Sequence, residues 1–506
     1  MTAFAARDVL LAGLAALLGG RIGSLVDGEI VAGGGPGVAL TDAATGVTLI
    51  DYEAAGADCI AAACAGAARA QRDWMALSAA ERGRRLWAVG ALVRREAEAL
   101  ARLDSAQSGK PLRDARGEAA RVAEMAEYWA GWCDKIEGRT VPVPSGHTVI
   151  VRREPFGVVL AITPWNAPLF TAGWNVFPAL AAGNAVVLKP SEFTPLTSLA
   201  LGRLCIEAGL PPGLVQVVSG PGQGTGAALL AAPEVAKVVF VGGPASGAAV
   251  AAVCAARTIP CVLELGGKSA NIVFADADFA TAVQGAQQAI FAGAGQSCVA
   301  GSRLLVQRSI HDRFVAALAE AAARIRMGDP LDPETEMGPV ATARQFAHVR
   351  GMIDSAAEAR VMAAPRPPGL PEGGFWVPPT LIAGLSNEAR PAQEEIFGPV
   401  VAAIPFEDEA EAIRLANATR FGLAGAVWTR DVARAHRVAA SVRAGTFWVN
   451  GYRTIHVSVP FGGFGASGYG RSSGAEALAE LTQSKAVWIE TAEAPALGFG
   501  HRPTGD

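Results

Sequence analysis

A cysteine and a glutamate in this chain lie in surroundings that suit covalent catalysis. Cys298 is flanked by small residues in the run Gly295-Gln-Ser-Cys298-Val-Ala-Gly301, so a substrate carbon can approach its thiol without crowding. Glu264 lies beside glycines in Leu263-Glu264-Leu-Gly-Gly-Lys268, and a carboxylate there can activate a water molecule. Either residue alone is more often structural, as a buried thiol or a solvated charge. Together they predict a nucleophile and its base.

Two patterns of buried strands precede this pair, and polar residues follow each of them. The apolar run Val158–Ile162 leads into Thr163-Pro-Trp-Asn166-Ala-Pro168, where prolines on both sides of Asn166 would hold its amide toward one point, as an oxyanion requires. The run Ala185–Leu188 leads to Lys189 and Glu192. In an open α/β sheet ligands bind at the carboxyl ends of strands, where such side chains can hydrogen-bond ribose hydroxyls.

Taken together and in order, these blocks resemble the aldehyde dehydrogenase superfamily from about residue 25 to residue 490. The matching blocks are Pro164-Trp165-Asn166-Ala-Pro168, Lys189-Pro-Ser-Glu192, Leu263-Glu264-Leu-Gly-Gly-Lys268, Gly295-Gln-Ser-Cys298, Glu394-Glu395-Ile-Phe397-Gly-Pro399 and Pro460-Phe-Gly-Gly463. The resemblance implies an α/β fold, with two doubly wound Rossmann-like domains and a small β arm for oligomerisation. It implies an NAD-dependent enzyme that oxidises an aldehyde to the carboxylic acid.

The resemblance also assigns roles to the catalytic residues. Cys298 would attack the aldehyde carbon, and Asn166 with the Cys298 backbone N–H would stabilise the oxyanion. Glu264 would activate the water that hydrolyses the resulting thioester. Its presence disfavours the branch of the family that transfers the acyl group to coenzyme A.

The cofactor predicted by the resemblance is NAD. Lys189 and Glu192 would hold the adenosine ribose, and Glu395 the nicotinamide-side ribose with Phe397 nearby. Because a carboxylate beside the 2′ position repels a 2′-phosphate, Glu192 favours NAD over NADP. The full set of candidate cofactor residues is Ile162, Pro164, Trp165, Lys189, Glu192, Gly222, Gly226, Gly242, Gly243, Leu265, Glu395 and Phe397.

Two glycine-rich turns compete for the cofactor's pyrophosphate. The run Gly222-Gln-Gly-Thr-Gly226-Ala227 matches a loose dinucleotide fingerprint, which is weak evidence by itself. The resemblance points to the next turn, Phe240-Val-Gly242-Gly243-Pro244, which opens a helix. Relatives commonly carry a hydroxyl residue where this chain has Gly243, and Pro244 lacks an N–H, so we expect fewer phosphate contacts. A further departure, Gly465 in place of a common lysine, carries no predicted role.

The substrate tunnel implied by family position is apolar and partly aromatic. Its predicted lining residues are Phe170, Trp174, Ile455 and Phe461. Arg453 and His456 lie in the same loop as Ile455, and they are either groups that recognise a polar or anionic substrate or ordinary loop residues.

Composition sets the class of protein. With 506 residues, of which 51% are hydrophobic, the chain should form two or three domains. Its formal net charge is −4 with both signs interspersed, which predicts small-molecule partners and neither nucleic acid nor membrane. Seven scattered cysteines without metal-ligand spacing favour a reducing, cytoplasmic location and no metal site.

The run Ala5–Leu18 imitates a signal peptide, but Asp8 favours a helix packed on the surface.

The strand and helix patterns suggest the domain boundaries. Residues 1–124 and 148–262 are predicted to form the NAD-binding domain, 263–465 the catalytic domain, 125–147 and 466–492 the oligomerisation arm, and 493–506 a tail. Trp129 and Trp132 are interpreted either as a subunit contact or as part of a core helix. The apolar run Lys485–Ile489 reads as a strand without a partner, so a homodimer or homotetramer is expected.

Other functions stay open at this stage. On the same fold the chain could be an acyl-transferring dehydrogenase or a semialdehyde dehydrogenase for an anionic substrate. A non-catalytic binding or structural protein is a third alternative, which the presence of Cys298, Glu264 and Asn166 disfavours.

Overall fold

The computed structural model describes residues 4–356, 358–493 and 498–500. Most of the predicted tail, residues 494–497 and 501–506, lies outside this part of the chain. Within the described residues no helix is both long and apolar enough to cross a membrane.

The secondary structure is mixed. The helices are α1 (Ala6–Leu18), α2 (Ala57–Ala76), α3 (Ala79–Arg95), α4 (Ala97–Ser108), α5 (Leu112–Ala130), α6 (Pro168–Ala181), α7 (Leu196–Glu207), α8 (Ala227–Ala231), α9 (Pro244–Ala256), α10 (Phe279–Phe291), α11 (His311–Ala323), α12 (Ala343–Asp354), α13 (Arg390–Gln393), α14 (Glu409–Asn417), α15 (Val432–Ser441) and α16 (Glu476–Leu481). The strands are β1 (Ser24–Val26), β2 (Glu29–Val31), β3 (Gly34–Thr41), β4 (Thr48–Ala55), β5 (Arg139–Val141), β6 (His147–Pro155), β7 (Val158–Ile162), β8 (Ala185–Lys189), β9 (Val215–Val217), β10 (Val235–Val241), β11 (Cys261–Glu264), β12 (Ala270–Val273), β13 (Arg303–Gln307), β14 (Arg360–Ala363), β15 (Thr380–Ala383), β16 (Val400–Phe406), β17 (Ala424–Trp428), β18 (Thr446–Val449), β19 (Gly468–Tyr469) and β20 (Thr482–Glu490).

The first large sheet carries the residues predicted to bind the cofactor. Its strand order is β19-β11-β10-β7-β8-β9-β1-β2, and the strands from β11 to β9 run parallel. Every residue of β7 and β8 is buried, as expected for strands covered by helices on both faces. Since β7, β8, β10 and β11 are parallel, the segments that follow them meet at one edge of the sheet.

The second large sheet has the order β14-β15-β16-β13-β12-β17-β18, with parallel pairing throughout except at the β14 edge. The apolar runs Arg303–Val306, Gly398–Ile404 and Gly445–Val449 predict the strands β13, β16 and β18, whereas β12 and β17 are not predicted. These two strands are short, and β17 begins with the small residues Ala424-Gly-Ala426. Loops before β13 and after β18 carry Cys298 and Arg453.

A three-stranded sheet of order β20-β6-β5 stands apart from the two large ones. β20 pairs antiparallel with β6 along its whole length, from Thr482 opposite Pro155 to Glu490 opposite His147. Within the range 466–492, predicted to belong to the arm, β19 pairs instead with β11 of the first large sheet. This segment of the predicted arm thus lies against the first large sheet.

The aromatic residues near the predicted arm divide into two groups. Helix α5 continues past the predicted boundary at residue 124, and Trp129 is 1% exposed in the core of the first large sheet. Trp132 is half-buried against the same core. The core-helix interpretation is thus correct for Trp129, and the subunit-contact interpretation is wrong for it.

Two local predictions near the N-terminus agree with the structure. The run beginning at Ala6 forms α1, which buries Leu10, Leu14 and Leu18 on one face, as the spacing of apolar residues requires. The run Ser78-Ala-Ala-Glu81 predicts a capping box at a helix start, and Ser78 caps α3, because its hydroxyl oxygen accepts a hydrogen bond from the Glu81 N–H at 3.2 Å.

Candidate active site

The three predicted catalytic residues come from different elements and converge between the two large sheets. Asn166 follows β7, Glu264 ends β11, and Cys298 lies in the loop that precedes β13. The Asn166 side-chain amide donates a hydrogen bond to the Gln296 carbonyl oxygen at 2.8 Å. This contact fixes the amide beside the cysteine loop and links the two sheets.

The cysteine loop has an unusual backbone. Gly293, Ala294 and Gly295 all lie in the left-handed region, with φ of 63°, 54° and 68°. At Gly295 an added Cβ would lie 2.0 Å from the Gly398 carbonyl oxygen, so only glycine fits there. Gln296 accepts the Ala341 N–H at 2.9 Å through its side-chain oxygen. No role is predicted for Gln296 from the sequence, although it belongs to a matched block.

The thiol of Cys298 is strongly perturbed. Burial raises its pKa to about 12, and the negative charges of Glu264 and Glu395 add to the rise. Such a thiol is protonated at neutral pH. Attack on a substrate therefore requires a base or a positive charge at the site.

Glu264 is a buried carboxylate without the usual compensation. It is 5% exposed, and neither of its carboxylate oxygens makes a hydrogen bond of normal geometry to any described residue. Burial raises its pKa to about 8, while Ser472 and the charge of Arg471 oppose the rise. A buried unsatisfied group requires an explanation, and a pKa close to neutral is what a general base needs.

The glycines that follow Glu264 make room for other parts of the site. An added Cβ at Gly266 would lie 2.0 Å from the Glu395 carboxylate, and one at Gly267 would lie 2.6 Å from the Cys298 carbonyl oxygen. The Gly267 N–H donates to Glu395 at 3.0 Å. The Leu-Gly-Gly run thus lets the second sheet approach the first.

Lys268 lies at the site and ends the matched block that begins at Leu263, but the sequence predicts no role for it. It is 1% exposed, and its ammonium has no hydrogen-bond partner among the described residues. Burial lowers its pKa to about 7, with the charge of Arg303 acting in the same direction and Glu395 opposing. Its burial depends on packing between the sheets, which the sequence pattern does not reveal.

Lys189 and Glu192 are brought together at the end of β8. The Lys189 ammonium lies 3.6 Å from the Glu192 carboxylate, and burial lowers the lysine's pKa while Glu192 opposes this. Gly226 borders the same place, since an added Cβ there would lie 3.9 Å from Lys189 Cε. Tyr52 donates from its hydroxyl to the Glu192 carbonyl oxygen at 3.0 Å.

The two glycine turns both leave open space. Gly222–Gly226 forms one turn of π-helix, and an added Cβ at Gly222 would meet no atom within 4 Å. Gly243 occupies the N-cap of α9 and is equally open, whereas Gly242 packs against the Phe240 ring. Pro244 is the first helical residue, where a missing N–H costs the helix no hydrogen bond. An anion can approach either turn.

The remaining cofactor candidates lie at the ends of β7 and β11 and in the segment before β16. The ring of Trp165 meets that of Phe397 edge-on with centroids 5.4 Å apart. Phe397 has φ of 52°, and its carbonyl oxygen accepts a hydrogen bond from the Gln345 side chain at 3.0 Å. Burial raises the pKa of Glu395 to about 7, with the Gly267 N–H and Lys268 opposing. Ile162 ends β7 and pairs with Lys189 of β8, Pro164 follows β7, and Leu265 follows β11.

The four predicted substrate residues form one cluster beside the thiol. The rings of Phe170 and Trp174 stack at 5.2 Å, and Phe461 meets Trp174 edge-on at 6.1 Å. Ile455 and Phe461 pack in the same cluster as Cys298. These contacts place an apolar wall next to the reactive sulfur.

The two polar loop candidates differ in position. His456 is exposed, and its ring nitrogen lies 2.6 Å from the Ser458 hydroxyl. Arg453 is half-buried and donates from Nη1 to the Ala292 carbonyl oxygen at 2.9 Å.

A dinucleotide fits this arrangement. Two carboxylates, Glu192 and Glu395, lie on opposite sides of the cleft and suit two riboses, while the open glycine turns suit a pyrophosphate between them. The thiol lies beyond these groups, beside the apolar cluster.

Comparison with known proteins agrees with this geometry. The family described as "Aldehyde dehydrogenase family" matches residues 31–487. The betaine aldehyde dehydrogenase of Bacillus subtilis (strain 168) is 41% identical over 84% of this chain and 88% of its own length. The (Z)-2-((N-methylformamido)methylene)-5-hydroxybutyrolactone dehydrogenase of Acinetobacter baylyi is 43% identical over 84% of this chain and 87% of its own.

Solved structures share the fold. The crystal structure of PnpE from Pseudomonas sp. WBC-3 superimposes with a TM-score of 0.92 at 41% identity, covering 95% of this chain and 99% of that one. A crystal structure of PnpE in complex with nicotinamide adenine dinucleotide also gives a TM-score of 0.92. This chain therefore belongs to the aldehyde dehydrogenase family.

Proposed function

We propose that this NAD-dependent aldehyde dehydrogenase oxidises its aldehyde at Cys298, with Glu264 as the base that releases the acid. The observation that carries the proposal is the convergence of Cys298, Asn166 and a buried carboxylate to which no described residue makes a hydrogen bond of normal geometry. Three such groups, supplied by three separate elements, have no evident structural purpose at this place.

The first covalent step joins Cys298 to the substrate. The Cys298 thiol gives up its proton to solvent, the sulfur bonds to the aldehyde carbon, and the carbon–oxygen π bond breaks so that the carbonyl oxygen becomes an oxyanion. The Asn166 amide has a second N–H beyond the one bound to Gln296, and with the Cys298 backbone N–H it stabilises that charge. Because the amide is already fixed, little reorganisation is needed during reaction.

NAD, when bound, supplies the hydride acceptor for this oxidation. Lys189 and Glu192 would hold one ribose and Glu395 the other, while the turns at Gly222–Gly226 and Gly242–Gly243 would accept the pyrophosphate. Trp165 and Phe397 pack against each other and exclude water from this side of the cleft.

Glu264 acts after oxidation. As a carboxylate it removes a proton from water, the hydroxide attacks the acyl carbon on Cys298, and the C–S bond breaks to release the acid and the thiol. Burial makes this carboxylate a stronger base than a solvated glutamate, although Ser472 opposes the effect. The presence of Glu264 as a base also favours hydrolysis of the acyl enzyme over transfer of the acyl group to an external thiol.

The test is a panel of aliphatic, aromatic, amino and carboxylated aldehydes, with NADH absorbance as the readout and product analysis at the end. Free acid formed without any added thiol acceptor supports the proposal. A requirement for coenzyme A, or no NADH with any aldehyde, would contradict it. Betaine aldehyde belongs in the panel because it is the substrate named for several relatives.

We also propose that the chain assembles as a homodimer or a dimer of dimers through the arm, which we assign to β5, β6 and β20. Trp488 and Ile489 of β20 are 58% and 44% exposed, and β20 pairs on one side only. β18, at the end of the second large sheet, also has one open edge. Open edges and exposed apolar residues favour pairing with another chain. Light scattering that finds a monomer at micromolar concentration would rule this out.

We further propose that the enzyme is located in the cytoplasm. We also propose that the first large sheet forms the NAD-binding domain and the second the catalytic domain. All seven cysteines are free, which fits a reducing compartment. Cell fractionation tests the location, and limited proteolysis between β11 and β12 tests the division.

A further inference from the structure

Arg453 is held next to the nucleophile by its neighbours in the loop after β18. The hydroxyl of Tyr452 donates to the carbonyl oxygen of Val299, the residue after Cys298, at 3.0 Å. Ile455 packs in the cluster that contains Cys298. Arg453 itself has φ of 68°, which is uncommon for a residue other than glycine. The loop therefore holds its side chain in a defined place.

The guanidinium of Arg453 has unused donors. Nη1 binds the Ala292 carbonyl oxygen, and no described carboxylate lies within ion-pair distance of the group. The acidic residues whose charges act on it are Asp114, which pairs with Arg113 at 3.5 Å, and Glu118, which pairs with Lys110. Arg453 is half-buried, and its other guanidinium nitrogens make no hydrogen bond to any described residue. An arginine stays charged in such surroundings.

We infer that Arg453 binds a carboxylate on the substrate and makes this enzyme a dehydrogenase for carboxylate-bearing aldehydes. The inference rests on the proposed role of Cys298 as the nucleophile. The planar fork of a guanidinium matches the two oxygens of a carboxylate, and one fixed hydrogen bond to Ala292 orients it. The apolar cluster of Phe170, Trp174 and Phe461 would contact the carbon chain between the two ends of such a substrate.

A substrate with a fixed positive charge fits less well. In betaine aldehyde the quaternary nitrogen is separated from the carbonyl by a single methylene, so it would lie close to Arg453 and be repelled. Aromatic faces could attract this cation, but one face of Trp174 is covered by Phe170 at 5.2 Å. The guanidinium thus favours a substrate other than betaine aldehyde, for which several relatives are named.

The first test uses two alkylating agents that differ in charge. Iodoacetate and iodoacetamide react with the same thiol, so their rate ratio at the Cys298 peptide, measured by mass spectrometry, reports the local charge independently of the thiol's pKa. We expect the iodoacetate preference to fall about tenfold in Arg453→Met and to survive in Arg453→Lys, an order expected for loss of one close charge partner. The exposed His456→Ala variant is the matched control and should keep the wild-type ratio. An unchanged ratio in Arg453→Met would overturn the inference.

The second test measures turnover. For ω-carboxyaldehydes, kcat/KM should fall about 30-fold or more in Arg453→Met, mainly through KM, whereas n-alkyl aldehydes of equal length should change by less than about threefold. Carboxylate binding by Arg453 would be refuted by equal losses of kcat/KM for both series. It would also be refuted if the wild-type enzyme preferred betaine aldehyde, or ω-phosphorylated over ω-carboxylated aldehydes. Failure of the proposed function looks different, because Cys298→Ala would then keep its turnover. Melting temperatures of all variants, with Arg453→Lys as the conservative change, show whether the loop still folds.

Discussion

At the scale of single residues, burial shifts the ionisable groups of the site toward their uncharged forms. The pKa is raised for Cys298, Glu264 and Glu395 and lowered for Lys268, and in each case loss of solvation is the largest cause. Three of these values lie near 7 or 8. Small changes at the site, such as an arriving ligand charge, therefore change which groups are ionised.

Replacing Cys298 by alanine should abolish NADH formation and leave NAD binding nearly intact. In the proposed mechanism the thiol forms the covalent bond to the substrate, and it packs in the same cluster as Ile455 and Phe461, which are not among the residues proposed to hold the cofactor. Steady-state assays check the loss of NADH formation, and calorimetric titration with NAD checks that the cofactor still binds. Appreciable turnover in the variant would show that another group is the nucleophile.

Glu264→Gln should keep a single burst of NADH while the steady-state rate falls at least about 100-fold, the usual size of a lost general base. The amide cannot accept a proton from water, so the acyl enzyme accumulates. In the wild-type enzyme the steady-state rate should rise as pH passes through about 8, because only the carboxylate acts as base. Stopped-flow measurement of the burst is decisive, since its absence would place Glu264 earlier, for example in activating the thiol.

Glu192→Ser should narrow the difference between NAD and NADP by raising the use of NADP. The carboxylate lies 3.6 Å from the Lys189 ammonium at the predicted ribose site, and its removal leaves that cation free to meet a 2′-phosphate. The ratio of kcat/KM for the two cofactors should shift by roughly tenfold, as for loss of one close charge. Glu207→Ser, on the exposed end of α7, is a control in which the ratio should stay constant.

At the scale of elements, the ends of parallel strands account for most of the site. β7, β8, β10 and β11 all end at one edge of the first large sheet, which brings Asn166, Lys189, Gly242 and Glu264 into one cleft. The loops of the second sheet then add Cys298 and Glu395. None of the described residues named in this cleft belongs to β5, β6 or β20, which fits the proposed role of the arm in assembly.

Truncation before Gln483 removes nearly all of β20 and should give inactive or aggregating protein. β6 would then lose its partner along residues 147–154 and expose an open strand edge. Activity and light scattering after purification check the outcome. A chain ended after Ala492 keeps β20 and serves as control, and normal assembly of the shorter chain would contradict the assignment of the arm.

At the scale of the whole molecule, the buried carboxylate of Glu264 should lower stability. Its folded pKa of about 8 lies above the unfolded value of 4.5, so the folded state is penalised as pH rises from about 4.5 to about 8 and not below that window. Glu264→Gln removes the penalty, which at pH 7 is on the order of 1–3 kcal/mol.

The melting temperature of Glu264→Gln should therefore exceed that of the wild type near pH 8 and match it near pH 5. Differential scanning calorimetry at both pH values measures the difference directly. Glu127→Gln is a useful comparison, because this side chain is more exposed and paired with Arg94 at 2.6 Å, so its replacement should not stabilise the protein at high pH. Equal shifts at the two pH values would show that the gain comes from packing.

Much of this protein was determined by local sequence alone. Continuous apolar runs predicted β7 and β8 because strands buried on both faces have no polar alternation, and the capping residue Ser78 marked the start of α3. The blocks around Asn166, Glu264 and Cys298 carried their chemistry in residue type and spacing, so the family and the catalytic candidates were predictable.

Other features were decided only by the tertiary structure. β12 and β17 were missed because their short runs become strands through pairing with β13 and β18, and Trp129 is buried by helices distant in sequence. The unpartnered ammonium of Lys268 and the free donors of Arg453 likewise depend on which groups the second sheet brings near them. Residue type determines what a side chain can do, but its charge state and its partners follow from packing between segments far apart in the chain, which no local pattern records.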